Sequence, residues 1–88
     1  MTFWVYVLKS LKTNKYYIGH TNNLKRRIDE HNNGKSFSTR LDKPWMLMYK
    51  ANFPTRSEAF KNEKYLKSLK KRNYLEKIIN KNLTYNAG

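Results

Sequence analysis

In the stretch YYIGHTNNLKRRIDEH, Arg27 and His31 stand four residues apart, the spacing that brings two side chains to one face of a helix. Arginine presents a rigid fork of donors to anionic oxygen, while a neutral imidazole donates from one ring nitrogen and accepts at the other. Together they describe the wall of a cleft that holds a phosphate and handles a proton. The pair also suits a plainer role, in which the Arg27 stem covers a core edge and His31 makes a structural hydrogen bond. Glu63 is open to two readings as well. A carboxylate on a packing face is costly unless compensated. It either pairs with Arg or Lys at a sheet edge or serves as a hard oxygen ligand for Mg²⁺, with substrate oxygens and waters completing the coordination. Tyr6, Tyr16 and Tyr17 supply aromatic packing surface. Beside cations a phenol deprotonates more readily, and it could then take a proton from attacking water or attack directly.

The elements that must position these groups follow from hydrophobic patterning. Residues 2–9, TFWVYVLK, are aromatic and β-branched and predict a strand. KYYIGHT predicts a second strand across a polar turn, bringing Tyr6 and Tyr17 close if their faces coincide. From Asn23 to Asn33 the pattern becomes helical, with Asn22 or Asn23 as N-cap and Gly34 as the C′ residue. Leu24, Arg27, Ile28 and His31 share one face of that helix. KSFSTRLDK follows as a basic loop whose Lys35, Ser38, Thr39, Arg40 and Lys43 are candidate contacts to a phosphate backbone. PWMLMYKA predicts a third strand. A second helix starts after FPTRSE, where Thr55 and Glu58 form a capping box; Ala59, Phe60, Leu66 and Leu69 make its inward stripe, and Glu63 falls within it. Leu75, Ile78 and Ile79 predict a further short helix after a bend near Arg72 and Asn73. The order is strand, strand, helix, strand, helix, helix.

The chain has 88 residues, the size of one domain. With no cysteine there is neither a disulfide nor a thiolate zinc site, which is compatible with a reducing compartment. No run approaches the roughly 20 apolar residues that span a bilayer, and no secretory signal opens the chain. A cytoplasmic protein without membrane attachment is expected. Lys and Arg number 19 against 6 Asp and Glu, a formal net charge of +13. Such a field favours a polyanion, because displacing condensed counterions drives association with nucleic acid.

The residues set out above occur in an order that resembles the GIY-YIG nuclease family, especially its small stand-alone members similar to the amino-terminal nuclease module of the excision-repair endonuclease UvrC. WVY at Trp4, Val5 and Tyr6 stands where the first family tripeptide lies, with Trp4 and Val5 in place of its glycine and isoleucine. YIG at Tyr17, Ile18 and Gly19 matches the second in full. HTNNLKRRIDEHNNG resembles the helix carrying the family arginine and histidine, here Arg27 and His31, and TRSEAFKNEKYLK the segment carrying its metal-binding glutamate, here Glu63. The resemblance implies an α/β (α+β-like) fold: a single compact GIY-YIG domain over residues 1–82, with a short three-stranded antiparallel sheet flanked by helices and a flexible terminus over 83–88. It also implies an endonuclease that hydrolyses DNA phosphodiester bonds with Mg²⁺ or Mn²⁺, with structure-selective cutting in repair or recombination. Tyr6 and Tyr17 would lie near the reacting phosphate and help activate the nucleophile, Arg27 would stabilise the transition state, His31 would orient or accept the proton, and Glu63 would bind one cation. DNA is the implied partner, through phosphate contacts, and a second protein could supply targeting, since no further DNA-reading motif is recognisable. The other reading is a noncatalytic basic module that binds DNA or RNA.

Overall fold

β1 (Phe3–Ser10) is the middle strand of a three-stranded antiparallel sheet, between β2 (Tyr16–Thr21) and β3 (Trp45–Phe53). α1 (Leu24–Asn32) joins β2 to β3, and α2 (Arg56–Lys67) and α3 (Arg72–Ala87) complete the order expected from patterning. This computed structural model describes residues 2–69 and 71–87, with side chains to Lys81. The expected flexible terminus, 83–88, falls on side chains outside that set. Among the described residues no helix is long and apolar enough to cross a membrane.

Period-two alternation along β1 divides the molecule into two cores. Val5 and Val7 point to one face, where they pack with Ala59 and Leu66 of α2 and Leu75 and Ile79 of α3. Tyr6 and Leu8 point to the other, where Trp45 is buried with them and Tyr17, Leu24, Ile28 and Leu47 close around. The register against β3 shifts between Val7 and Leu8, which face Tyr49 and Leu47. The extra residue on β3 is Met48, a local bulge that lets both faces stay filled past the shift.

Helix ends form where the capping chemistry expects. The Asn23 side chain accepts from the Arg26 N–H, and that of Thr55 from the Glu58 N–H. At the other end of α1, Gly34 adopts φ +75°, and the Gly34 and Lys35 N–H groups bond back to the His31 and Glu30 carbonyls. That is a Schellman ending, and its left-handed residue is the reason for glycine there. The chain then returns to β3 under tight control. Asn32 Nδ2 donates to the Trp45 carbonyl and its Oδ1 accepts from the Trp45 N–H. The buried Ser10 hydroxyl accepts from the N–H groups of Lys12 and Thr13 and donates to the Asp42 carbonyl, joining the β1–β2 turn to the α1–β3 loop.

Phe60 departs from the expected inward stripe: it is 50% exposed. Ala59, Glu63 and Leu66, spaced four and three apart, are the α2 residues that face the sheet. One residue on from Ala59, Phe60 is turned about 100° away from that line.

Candidate active site

Tyr6 enters the α1 side of the sheet directly opposite Gly19 of β2. A methyl group at Gly19 would stand 2.6 Å from the Tyr6 hydroxyl oxygen and 3.2 Å from the Tyr17 ring. Glycine is needed here for close approach, because the Tyr6 ring lies across the β2 backbone. Tyr17 pairs with Leu8 in the ladder and so shares the face, its ring centre 6.3 Å from that of Tyr6.

α1 covers these two rings with His31, whose relative exposure is 0%. The Tyr6 hydroxyl lies 3.1 Å from His31 Nε2, and His31 Nδ1 lies 2.7 Å from the Thr39 hydroxyl. The imidazole also sits against Tyr17, with ring centres 4.8 Å apart. Thr39 is held in turn by Trp45, whose indole N–H donates to the Thr39 carbonyl at 2.9 Å. Burial, with Arg27 nearby, lowers the His31 pKa to about 4, so the ring is neutral near pH 7. A neutral imidazole donates through one nitrogen and accepts through the other, which satisfies both hydroxyl partners and leaves a continuous Tyr6–His31–Thr39 chain.

Burial likewise raises the Tyr6 pKa to about 12, a rise that Arg27 opposes and that Tyr17 and Glu63 reinforce. Tyr6 therefore carries its proton near pH 7. Arg27 stays half-exposed at the mouth of this cluster, with Nη1 3.1 Å from Glu30 Oε1. Burial works against its charge, but Glu30, Tyr6 and Tyr17 outweigh it and raise its pKa. A fixed cation thus stands beside two phenols, with Glu30 as the partner an incoming phosphate would have to displace.

Glu63 belongs to the other side of the sheet. It is buried on α2, where its Oε1 lies 3.0 Å from His20 Nδ1 of β2 and its Oε2 lies 3.5 Å from Lys67 Nζ. His20 follows Gly19 directly and faces Val5 across the ladder. The edge strand β2 therefore carries both halves of the site: Tyr17 toward α1, His20 toward α2, and the glycine gap between them.

Over residues 2–81 the sequence matches the GIY-YIG catalytic domain. The chain belongs to the GIY-YIG family. Among its relatives, UPF0213 protein YazA of Bacillus subtilis is 40% identical over 79 residues, covering 85% of this chain and 79% of that protein. UPF0213 protein CPE1444 of Clostridium perfringens is 40% identical over 81 residues, covering 91% and 86%. The solution NMR structure of UPF0213 protein BH0048 from Bacillus halodurans is similar at a TM-score of 0.58 and 32% identity, covering 97% of this chain and 90% of that one. The three strands and three helices are thus those of a small stand-alone GIY-YIG domain.

Within this GIY-YIG domain, Tyr6, Tyr17, Arg27 and His31 come together on the α1 face, and Glu63 stands across β2 from them. Tyr16, also considered from sequence, is elsewhere. Its hydroxyl donates to Glu76 Oε2 at 3.1 Å and the Arg72 guanidinium lies 4.4 Å from its ring centre, so it pins β2 to α3. Lys35, Ser38, Arg40 and Lys43 are exposed along the α1–β3 loop. Thr39 differs from the other loop residues expected to touch phosphate: it is buried, and its hydroxyl is spent on His31.

The sequence pattern gives no sign of His20 as a site residue, nor of Thr39 as the partner of His31; each acquires its partner only when the chain folds back, over 43 and 8 residues respectively. Among the described residues no group of three or more His, Cys, Asp or Glu could hold a metal ion. The donor set fits a cation held by the Glu63 carboxylate, which would replace the Lys67 ammonium at Oε2 while His20 keeps Oε1, with substrate and water oxygens filling the rest.

Proposed function

We propose that this GIY-YIG domain is a divalent-metal-dependent endonuclease that hydrolyses DNA phosphodiester bonds, with a preference for branched, nicked or flapped substrates such as arise in repair or recombination. The observation that carries the reading is the buried Tyr6–His31–Thr39 chain, set beneath Tyr17 and Arg27 on a +13 protein. An imidazole without solvent access, bonded to two hydroxyls, is a costly way to fill a core and a good way to fix a phenol. Residues 1–82 act as one module in the cytoplasm, and a second protein supplies targeting.

In hydrolysis, an oxygen nucleophile forms a new P–O bond as the bond to the leaving oxygen breaks. Arg27 exchanges Glu30 for phosphate oxygens and stabilises the charge that gathers on them. Tyr17, the more accessible phenol, either activates the attacking water, whose proton goes to the departing oxygen, or attacks directly, after which water cleaves the phosphotyrosyl ester. Tyr6 keeps its proton and donates a hydrogen bond, while His31 acts through the Tyr6 hydroxyl and the Tyr17 ring because it has no surface of its own. Glu63, steadied by His20, would hold Mg²⁺ or Mn²⁺, which would supply Lewis-acid stabilisation of the phosphate. Lys35, Ser38, Arg40 and Lys43 hold the DNA backbone.

The test is a cleavage panel of duplex, nicked, flapped and branched DNA with Mg²⁺ or Mn²⁺. Metal-dependent products are expected, and Glu63→Gln should slow cutting about 10³-fold, a loss of several kcal/mol of transition-state stabilisation. DNA binding with no product from any substrate would replace this reading with that of a noncatalytic binding module.

A further inference from the structure

The α1–β3 loop holds an apolar ring in a place where packing does not explain it. Phe37 is 81% exposed, and Leu41 on the same loop is 76% exposed. The Arg40 guanidinium covers one side of the Phe37 ring at 4.6 Å from its centre. Lys12 Nζ donates to the Leu41 carbonyl at 3.3 Å, which brings the β1–β2 turn and its exposed Leu11 to the same surface. The charged groups here are Lys12, Lys35, Arg40 and Lys43, against a single acid, Asp42, on the loop. An exposed aromatic ring among cations matches the chemistry of a partner that offers both a π-face and phosphate.

From these observations we infer that Phe37 and Arg40 form a stacking platform for an unpaired DNA base a few nucleotides from the reacting phosphate. The inference rests on the nuclease reading above and names what its substrate must present. Phe37 is two residues from Thr39, which bonds His31, and the His31 ring lies 4.8 Å from that of Tyr17, so the Phe37 Cα is within about 18 Å of the Tyr17 ring, about five base steps along a strand. A base unpaired within that distance of the bond facing Tyr17 is therefore within the loop's reach. The free side of the Phe37 ring takes the base, and Arg40 holds the ring from behind while meeting the adjacent phosphate. A fully paired duplex offers no free base face, so the platform discriminates by structure and is indifferent to sequence.

The experiment uses full-length protein carrying Glu63→Gln, so that binding is read without cutting, and two DNAs of equal length. One is a matched duplex, and the other carries 2-aminopurine in a short unpaired flap. Fluorescence anisotropy gives affinity, and quenching of 2-aminopurine reports stacking. Flapped DNA should bind more tightly and be quenched. Phe37→Ala should weaken flap binding about 10-fold and abolish quenching, while changing duplex binding less than about 2-fold, and Phe37→Trp should restore both signals. Equal affinity for the two DNAs, equal loss on both, or an unquenched flap overturns the platform and leaves the nuclease reading standing. Failure to bind either DNA at low salt removes the nuclease reading itself.

Discussion

The two faces of one sheet are built on different principles. Toward α2 and α3 the side chains that meet are Val5, Val7, Ala59, Leu66, Leu75 and Ile79, which need nothing from each other but shape, with buried Glu63 a polar exception paired to His20 of the edge strand. Toward α1 the corresponding layer contains Tyr6, His31 and Thr39, each fully or almost fully buried and each dependent on a hydrogen-bond partner. An apolar core tolerates rearrangement at moderate cost, whereas a buried polar chain is worth keeping only when every member is satisfied. α2 and α3 thus give the sheet its stability, and α1 gives it a fixed arrangement of protons.

That division can be broken experimentally, and the largest effect should come from the apolar side. Leu66→Ala should lower unfolding free energy by about 3 kcal/mol, read from the urea midpoint at unchanged slope. DNA cleavage per folded molecule should stay near that of the wild type. If cleavage fell with stability intact, the two faces would not be separable in this way.

Acid should act on the polar side. The unfolded imidazole takes a proton near its ordinary pKa of 6.5, but buried His31 resists until about 4. Between those values the unfolded state binds more protons, so His31's contribution to stability is present above about 6.5 and is lost progressively as pH falls toward 4. The loss by pH 4 should be about 3 kcal/mol. Unfolding curves of the wild type and of His31→Gln across this range should converge as the pH falls. Parallel curves would mean that the ring is not held neutral by its surroundings.

The smallest effect sharpens the boundary between the faces, where β2 carries His20. His20→Ala should weaken Mn²⁺ binding about 10-fold by titration calorimetry on DNA-free protein, because Glu63 loses the partner that orients it. The urea midpoint should barely move, since His20 is partly exposed and fills no part of the apolar cluster. A large fall in stability without a change in Mn²⁺ affinity would make His20 a packing residue.

Local chemistry accounts for most of what could be read from the sequence. Asn23, Gly34 and Thr55 mark helix ends through bonds made within a few residues, and the four-residue step from Arg27 to His31 survives folding unchanged. The depth of a residue is a different matter. Leu24 and Ile28 look like the anchors of α1 and do pack against the Tyr6 cluster, yet they are only partly buried while His31, beside two phenol rings, is sealed. His20 has no signal of its own in the sequence, and Thr39 reads there as a phosphate contact, because nothing near them in the chain announces Glu63 or His31 as a neighbour. Phe60 misled for the opposite reason, since an aromatic residue one place off the inward line still reads as core.

The loop after α1 is fastened through Thr39, to His31 and the Trp45 indole, and through the Leu41 and Asp42 carbonyls, to Lys12 and Ser10. Residues 35–38 precede these fastenings, and the bonds they make to the rest of the chain are backbone ones: the Lys35 N–H closes α1 and the Ser36 carbonyl accepts from the Thr39 N–H. Changes of side chain at constant length in that segment leave those bonds and the bonds of the buried imidazole in place. In engineering terms it is an exchangeable cassette: the part of the molecule where a new binding preference can be installed without rebuilding the chemistry beneath it.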